Sequence, residues 1–191
     1  MVLMDNRSVI LNCALELFAA RGYDAVGVQE IAETAGVTKP TLYHYFGSKL
    51  GLLKTLVQTY HEPFEQAVEQ AAHYEGDLPY TLEKVGSVFF EFARRNPVYC
   101  RLQLAFNLSP RGSEAWRVMT DWNERQHQQI EGIFRAAVQQ HGNMRGRQRL
   151  YAAVFIGLLN TCIGLWLNGF IELDEGLLQS ALRQFQHGIY S

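Results

Sequence analysis

Proline, cysteine and excess charge of either sign are all scarce in this chain of 191 residues. Five prolines and almost no alternation of β-branched residues argue against a β-rich fold and favour long helices. The three cysteines, Cys13, Cys100 and Cys162, are odd in number and lack CxxC spacing, so we expect free thiols in a cytoplasmic protein without a signal peptide. A net charge of −2 excludes a protein that is basic throughout, so any contact with nucleic acid must come from a local patch.

Motifs for catalysis are also lacking. The sequence contains no P-loop, no GxGxxG and no nucleophile motif, so we predict no enzyme, no catalytic residue, no cofactor and no metal. One alternative is a helical metal-binding bundle or enzyme, because Glu124-x-x-His127 has the spacing of a di-iron ligand pair. Such a site needs a second copy of the pair and two further glutamates. Acidic and histidine side chains also recur at steps of four from His61 to His73, but Pro63 disturbs the start of this stripe and we expect a solvated surface.

Apolar residues recur at helical spacing along the whole chain, which predicts an all-α protein. Three short helices come first: one that ends near Gly22, one over residues 28–35 and one over residues 38–45. A fourth helix, capped by Ser48, should kink or break just before Pro63. Longer helices are predicted over residues of about 80–95, 97–108, 113–141, 145–169 and 174–189.

The second and third helices have the residue spacing of a helix-turn-helix. Ala32 is small enough for the two helices to approach closely, and Gly36 supplies a positive φ in the turn. Ile31, Val37 and Leu42 would fill the core between the helices. Helical hairpins that bind no DNA can have the same spacing, so the chemistry of the exposed face must decide between the two.

The exposed face of the third helix carries side chains that suit a DNA groove. Thr38 is the expected N-cap, and Pro40 lies in the first turn, where a missing N–H costs little. The side chains left in outward or flanking positions are Lys39, Thr41, Tyr43 and His44. Amino, hydroxyl and imidazole groups can reach base edges or phosphates. Residues 38–54 contain three lysines and no acid, but residues 1–56 carry no net charge, so useful affinity would require a dimer.

Residues 22–53, GYDAVGVQEIAETAGVTKPTLYHYFGSKLGLL, strongly resemble the N-terminal domain of TetR/AcrR-type transcriptional regulators. The resemblance is carried by Gly22-Tyr23, Ile31-Ala32, Gly36-Val37, the run from Leu42 to Phe46, and Lys49. It implies DNA contact by Gln29, Thr38, Lys39, Thr41, Tyr43, His44 and Lys49. Among these, Tyr43 and Lys49 would contact phosphates, while Lys39, Thr41 and His44 would read bases.

Two positions depart from the family pattern. Val26 and Gly27 replace the Thr or Ser that commonly caps the second helix and touches phosphate, so one hydroxyl contact is lost. Leu50 replaces the acidic residue that commonly follows the lysine of the fourth helix, which affects the capping of that helix.

The resemblance also implies an architecture and a function. Residues 1–50 would form the helix-turn-helix DNA-binding domain, and residues 51–191 a helical domain that dimerises and holds a small-molecule inducer. The protein would then be a one-component regulator, most often a repressor in this family, that binds a palindromic operator as a homodimer.

The C-terminal region contains a long uncharged stretch, residues 150–171. Its length leaves a second alternative open, a membrane-anchored helical protein. Asn160, Thr161 and Asn168 would be costly in lipid, so we predict instead a helix buried on both sides, against its own core and against a partner subunit. The helices at about 145–169 and 174–189 would then form the dimer interface, without a membrane.

Many large aromatic residues in the same region allow a roomy cavity for a flat apolar or aromatic ligand. The candidate ligand-binding residues are Phe89, Tyr99, Gln103, Phe106, Asn107, Trp116, Trp122, Phe155 and Asn160. Four of these would provide polar contacts: Tyr99, Gln103, Asn107 and Asn160.

Overall fold

A computed structural model describes residues 5–140 and 142–190 of the chain. These residues form α-helices joined by short turns, and no strand occurs among them. The helices are α1 (Asn6–Arg21), α2 (Val28–Thr34), α3 (Lys39–Phe46), α4 (Lys49–Ala71), α5 (Leu78–Arg95), α6 (Pro97–Asn107), α7 (Glu114–Ala137), α8 (Gln148–Leu167) and α9 (Glu175–Tyr190). A 3-10 turn, Gly142–Met144, precedes α8. The predicted all-α fold is confirmed.

Side-chain caps mark the beginnings of α3 and α4. The Thr38 hydroxyl accepts a hydrogen bond from the Thr41 N–H at 3.3 Å, and the Ser48 hydroxyl accepts one from the Gly51 N–H at 2.9 Å. Both caps were predicted from sequence. Gly27 is the N-cap of α2 and provides no side-chain hydrogen bond, as expected from the missing hydroxyl.

Helix α4 is continuous through Pro63, so a break before this proline is wrong, while the alternative of a kink there stays a prediction. Proline removes one N–H from the helical ladder, but its ring need not end a helix. Pro63 and Thr59, whose carbonyl loses its usual donor, are both exposed. Water can therefore hydrogen-bond to that carbonyl, which lowers the cost of the missing bond.

The chain divides into two compact units. The first contains the chain up to His61 together with Val98–Thr120, and the second contains Glu62–Pro97 and the chain from Asp121 onward. The α4 and α7 helices contribute residues to both units. Functional domains bounded at residue 50 stay a prediction.

Aromatic rings fill much of the core of the second unit. Phe64 of α4 stacks on Phe92 of α5, with ring centroids 4.4 Å apart. Phe185 of α9 contacts Phe134 of α7 and Phe155 of α8, at 6.2 and 5.5 Å. Helix α5 packs against both α8 and α9. This core joins five helices of the unit through ring contacts and helix packing.

Helix α8 buries only one of its sides in the second unit. Phe155, Leu159 and Ile163 are among its buried residues, whereas Leu150 and Val154 are exposed. In residues 5–140 and 142–190, α8 is the single helix long and apolar enough to cross a membrane, with a mean hydropathy of 1.9. The predicted burial against its own core is confirmed, and burial against a partner subunit stays a prediction.

Candidate DNA-binding surface

Helices α1, α2 and α3 pack together around a small apolar core. Ile10, Phe18, Ile31 and Leu42 are at most 1% exposed. Gly36 has a φ of +67°, which an L side chain rarely adopts, as predicted for this turn. The following Val37 N–H bonds to the Ala32 carbonyl at 2.9 Å. The geometry is that of two helices joined by a tight turn, with α3 held by its buried side.

The opposite side of α3 is exposed. Lys39, Tyr43 and His44 are exposed, and 46% of the Tyr43 surface is accessible. Thr41 is half-buried, and its hydroxyl lies 2.9 Å from the cap hydroxyl of Thr38. The structure therefore brings the predicted base-reading and phosphate-contacting groups of α3 to one exposed surface. We call this surface the α3 face and define it by Thr38, Lys39, Thr41, Tyr43 and His44.

Gln29 lies near the beginning of α2, exposed as predicted. Its side-chain amide nitrogen donates a hydrogen bond to Glu33, one turn further along the helix. An amide nitrogen has two N–H donors, so a second donor remains for a phosphate oxygen. Gln29 keeps the capacity for the predicted contact, but Glu33 holds its orientation.

Lys49, the last predicted contact, is half-buried rather than extended into solvent. Its ammonium lies 4.1 Å from the centroid of the Tyr23 ring, within cation–π distance. The Tyr23 hydroxyl in turn donates to the carboxylate of Glu114, in the first turn of α7. Partial burial lowers the pKa of Lys49, while the nearby charges of Asp24 and Glu114 oppose that shift.

The roles of Tyr23 and Glu114 are not visible in the sequence. The two residues are 91 positions apart, so no local pattern could have paired them. Tyr23 was noted only as part of the Gly-aromatic pair that carries the family resemblance. Burial and the hydrogen bond to Glu114 raise the pKa of the Tyr23 hydroxyl well above its ordinary value, so it remains a donor at neutral pH.

The first unit is basic although residues 1–56 are not. Across its two segments it contains eight Lys and Arg residues against six Asp and Glu residues, a net charge of +2. The excess comes from Arg101, Arg111 and Arg117, which outnumber the single acid Glu114 in Val98–Thr120. The second unit contains nine basic and thirteen acidic residues, a net charge of −4. Positive charge is therefore concentrated in the unit that contains the α3 face.

The predicted ligand-binding residues fall into both units. Tyr99, Gln103, Phe106, Asn107 and Trp116 belong to the first unit, while Phe89, Trp122, Phe155 and Asn160 belong to the second. In the first unit, buried Tyr99 bonds through its hydroxyl to Nδ1 of buried His61 and stacks on Tyr60 at 4.4 Å. Asn107 is exposed, which argues against a position inside a buried pocket. A shared pocket stays a prediction.

The two constellations considered as metal sites have other partners. Glu124 accepts hydrogen bonds from Arg149 at 3.0 and 3.2 Å, rather than turning toward a shared ion with His127. The predicted surface stripe is wrong at its first member, because His61 is 3% exposed and bonded to Tyr99. Within the described residues, no group of three histidine, cysteine or acidic side chains could hold a metal ion.

The N-terminal helices are similar to those of a known family of bacterial proteins. The sequence model described as "Bacterial regulatory proteins, tetR family" matches residues 10–56, which contain the whole α3 face. The HTH-type transcriptional activator FasR of Mycolicibacterium smegmatis is 27% identical over 186 residues, which cover 96% of this chain and 82% of that protein.

Solved structures share the fold over nearly the full length. The transcriptional regulator FadR of Bacillus subtilis, solved in complex with stearoyl-CoA, matches with a TM-score of 0.77 and 22% identity, over 93% of this chain and 96% of that one. The fatty acid degradation regulator FadR of Bacillus halodurans matches with a TM-score of 0.75 and 19% identity, over 93% and 96%. At these identities the likeness establishes the architecture of an N-terminal helix-turn-helix followed by a helical domain.

Proposed function

Because residues 10–56 match the model of the tetR family of bacterial regulatory proteins, we propose that this chain is a member of that family: a cytoplasmic, homodimeric transcriptional regulator that binds a palindromic operator. The observation that carries the proposal is the α3 face, a row of hydrogen-bonding side chains on a helix that is capped at its start and fixed by a buried opposite side. A rigid helix with such a face fits the major groove of B-DNA. The relatives reported above are regulators of transcription, and regulation is the function we propose in place of a metal-binding bundle or enzyme.

The contacts of the α3 face divide into two kinds. Lys39, Thr41 and His44 read base edges, because amino, hydroxyl and imidazole groups match the donors and acceptors of the major groove. Tyr43 and Lys49 contact phosphates and fix the position of α3 in the groove, with Gln29 and Thr38 adding contacts at the helix starts. A duplex would have to approach within reach of the half-buried Lys49 ammonium.

The dimer forms through α8 and α9. An exposed apolar row on α8 supports this assignment: Leu150, Val154 and Leu165 are 60, 50 and 40% exposed. Gly157 lies on the same side, with open space around it that would allow close approach of a second helix. Two α3 faces, about 34–36 Å apart, would then enter successive major grooves of one duplex.

A small molecule regulates binding from the C-terminal domain. We propose an apolar or aromatic ligand, and long acyl chains are the first class to test, because two proteins of the same fold are named as fatty acid degradation regulators or solved with stearoyl-CoA. To release DNA, such a ligand must bind more tightly to a conformation of the dimer in which the distance between the two α3 faces does not match successive major grooves. Moving a two-state balance from 1:99 to 99:1 requires about 5.5 kcal/mol of differential binding. Release of DNA by the ligand would make the protein a repressor, whereas FasR is named as an activator.

Two tyrosines of α3 offer a matched test of this function. We expect Tyr43→Ala to weaken binding to all duplexes by about tenfold, because a phosphate contact is lost whatever the sequence. Tyr45→Ala is the comparison, since Tyr45 is 41% exposed on the same helix and is not one of the predicted DNA contacts, although its ring centroid lies 5.5 Å from that of His44. Fluorescence anisotropy with labelled duplexes measures both. Equal affinities of the two variants for DNA would contradict the assigned face.

A further inference from the structure

Three separate elements of the first unit meet at the side chain of Tyr23. This residue lies between α1 and α2 and is only 4% exposed. Its ring supports the ammonium of Lys49, the first residue of α4, at 4.1 Å. Its hydroxyl donates to Oε2 of Glu114, the first residue of α7, at 2.5 Å. We call these three residues the Tyr23 cluster.

The geometry of the cluster gives Glu114 an indirect effect on Lys49. The ammonium rests on the ring by cation–π attraction, so its position depends on where the ring lies. The ring is held by apolar packing and by one directional bond, from its hydroxyl to the carboxylate. Lys49 takes part in none of the salt bridges among the described residues. The carboxylates of Asp24 and Glu114 act on its charge only from beyond salt-bridge distance, so the ammonium can still pair with a phosphate.

We propose that Glu114 is a positioning residue for DNA binding, which holds the Tyr23 ring through its hydroxyl and thereby places the Lys49 ammonium for a phosphate. The proposal rests on the proposed function, because it assumes that Lys49 contacts DNA. It adds a residue of α7, far outside residues 10–56, to the determinants of DNA affinity. The negative charge of Glu114 would by itself weaken DNA binding, since a carboxylate near DNA repels phosphate, whereas its positioning of Lys49 would strengthen binding.

Charge and position can be separated by the choice of variant. Tyr23→Phe removes only the hydroxyl and keeps the aromatic ring and the side chains of Lys49 and Glu114. Glu114→Gln keeps an oxygen that can accept the bond but removes the charge, whereas Glu114→Ala removes both. Tyr74→Phe is the matched control, because the Tyr74 hydroxyl also donates to a side chain, that of Gln140 at 2.7 Å, but in the second unit.

The experiment is a double-substitution cycle between Tyr23→Phe and Lys49→Ala. Binding to an operator selected from random duplexes is measured by anisotropy over a series of salt concentrations. We expect Lys49→Ala to weaken binding. We also expect the slope of log binding constant against log salt concentration to become less steep by about one unit. Tyr23→Phe should weaken binding about three- to tenfold, the effect of one hydrogen bond, and the double variant should bind no worse than Lys49→Ala alone. Glu114→Ala should also weaken binding, but less than Tyr23→Phe, because it removes the repulsive charge together with the hydrogen bond. Glu114→Gln and Tyr74→Phe should bind at least as well as the wild type.

Other outcomes overturn the proposal in distinguishable ways. If Tyr23→Phe binds like the wild type, or weakens binding equally with and without Lys49, the Tyr23 cluster does not position the lysine. If Lys49→Ala has no effect while Tyr43→Ala weakens binding, the proposed function stands and the inference fails. If the wild type binds no duplex, both fail. Thermal denaturation checks that each variant folds, and Glu114→Ala, at an exposed residue, serves if Tyr23→Phe is unstable.

Discussion

His127 lies in the second unit, in the middle of α7, and it faces charged groups of both signs. Glu124 and Glu131 flank it on the same helix, and Arg149 of α8 bonds to Glu124 and lies 3.8 Å from Glu131. Burial lowers the pKa of His127 from its ordinary value of 6.5, Arg149 lowers it further, and the two glutamates oppose the shift. At the scale of the residue, Glu124 and Glu131 therefore form an ion-pair network with Arg149, and His127 lies within the influence of its charges.

This environment predicts a pH dependence of folding stability. Because the pKa of His127 is lower in the folded chain, the unfolded chain binds more protons below about pH 6.5, and stability is lost as the pH falls through that value. We expect the melting temperature to fall between about pH 7.5 and 5.5, and to fall less in His127→Gln. His73→Gln, at an exposed histidine, is the control and should behave like the wild type. If the melting temperatures of wild type and His127→Gln fell equally with pH, the assigned role of His127 in this pH dependence would be contradicted.

The residues that sequence could assign are those whose roles are local. Thr38 and Gly36 were predictable because a cap and a positive φ depend on neighbours within a few positions. The sequence predicted that Lys49 contacts DNA, but not that its ammonium lies on the Tyr23 ring. That contact, and the bond from Tyr23 to Glu114, form only through tertiary packing. His61 shows the same limit, since its hydrogen-bond partner, Tyr99, is 38 positions away.

At the scale of the element, helical periodicity located every long helix, but it could not show which sides find partners. The uncharged run of α8 predicted burial on both sides, yet the single chain leaves Leu150, Val154 and Leu165 exposed. Pro63 was overestimated as a helix breaker, because exposure of the backbone around it is a property of the packed helix and not of the sequence. Both cases depend on the surroundings of a helix rather than on its own residues.

The exposed row of α8 gives a prediction about assembly. Val154→Glu should leave the fold intact, since residue 154 is exposed, but it would bury a carboxylate in the proposed dimer. We expect the dimer dissociation constant to rise by at least about a hundredfold, because an unpaired buried charge costs several kcal/mol. Sedimentation velocity measures the change, and Ser87→Glu, on the exposed side of α5, should remain dimeric. A Val154→Glu variant that stays dimeric would exclude this side of α8 as the interface.

At the scale of the whole molecule, one chain has a charge of +2 in the unit with the α3 face and −4 in the other. A charge of +2 gives only moderate attraction to a duplex, since each phosphate contact contributes separately to salt-dependent binding. Two linked units raise the affinity by effective concentration and restrict binding to sites with the correct spacing. The central claim is therefore that two α3 faces act together on one palindrome.

Selection of bound fragments from a pool of random duplexes, performed with wild type and with His44→Ala, tests this claim most directly. We expect the wild type to enrich an inverted repeat whose half-site centres are about ten base pairs apart, or a multiple of that distance. His44→Ala should alter the preferred base at the same position of both half-sites, because the same side chain reads each of them. A single unrepeated motif, an unchanged preference in His44→Ala, or no enrichment at all would contradict the claim.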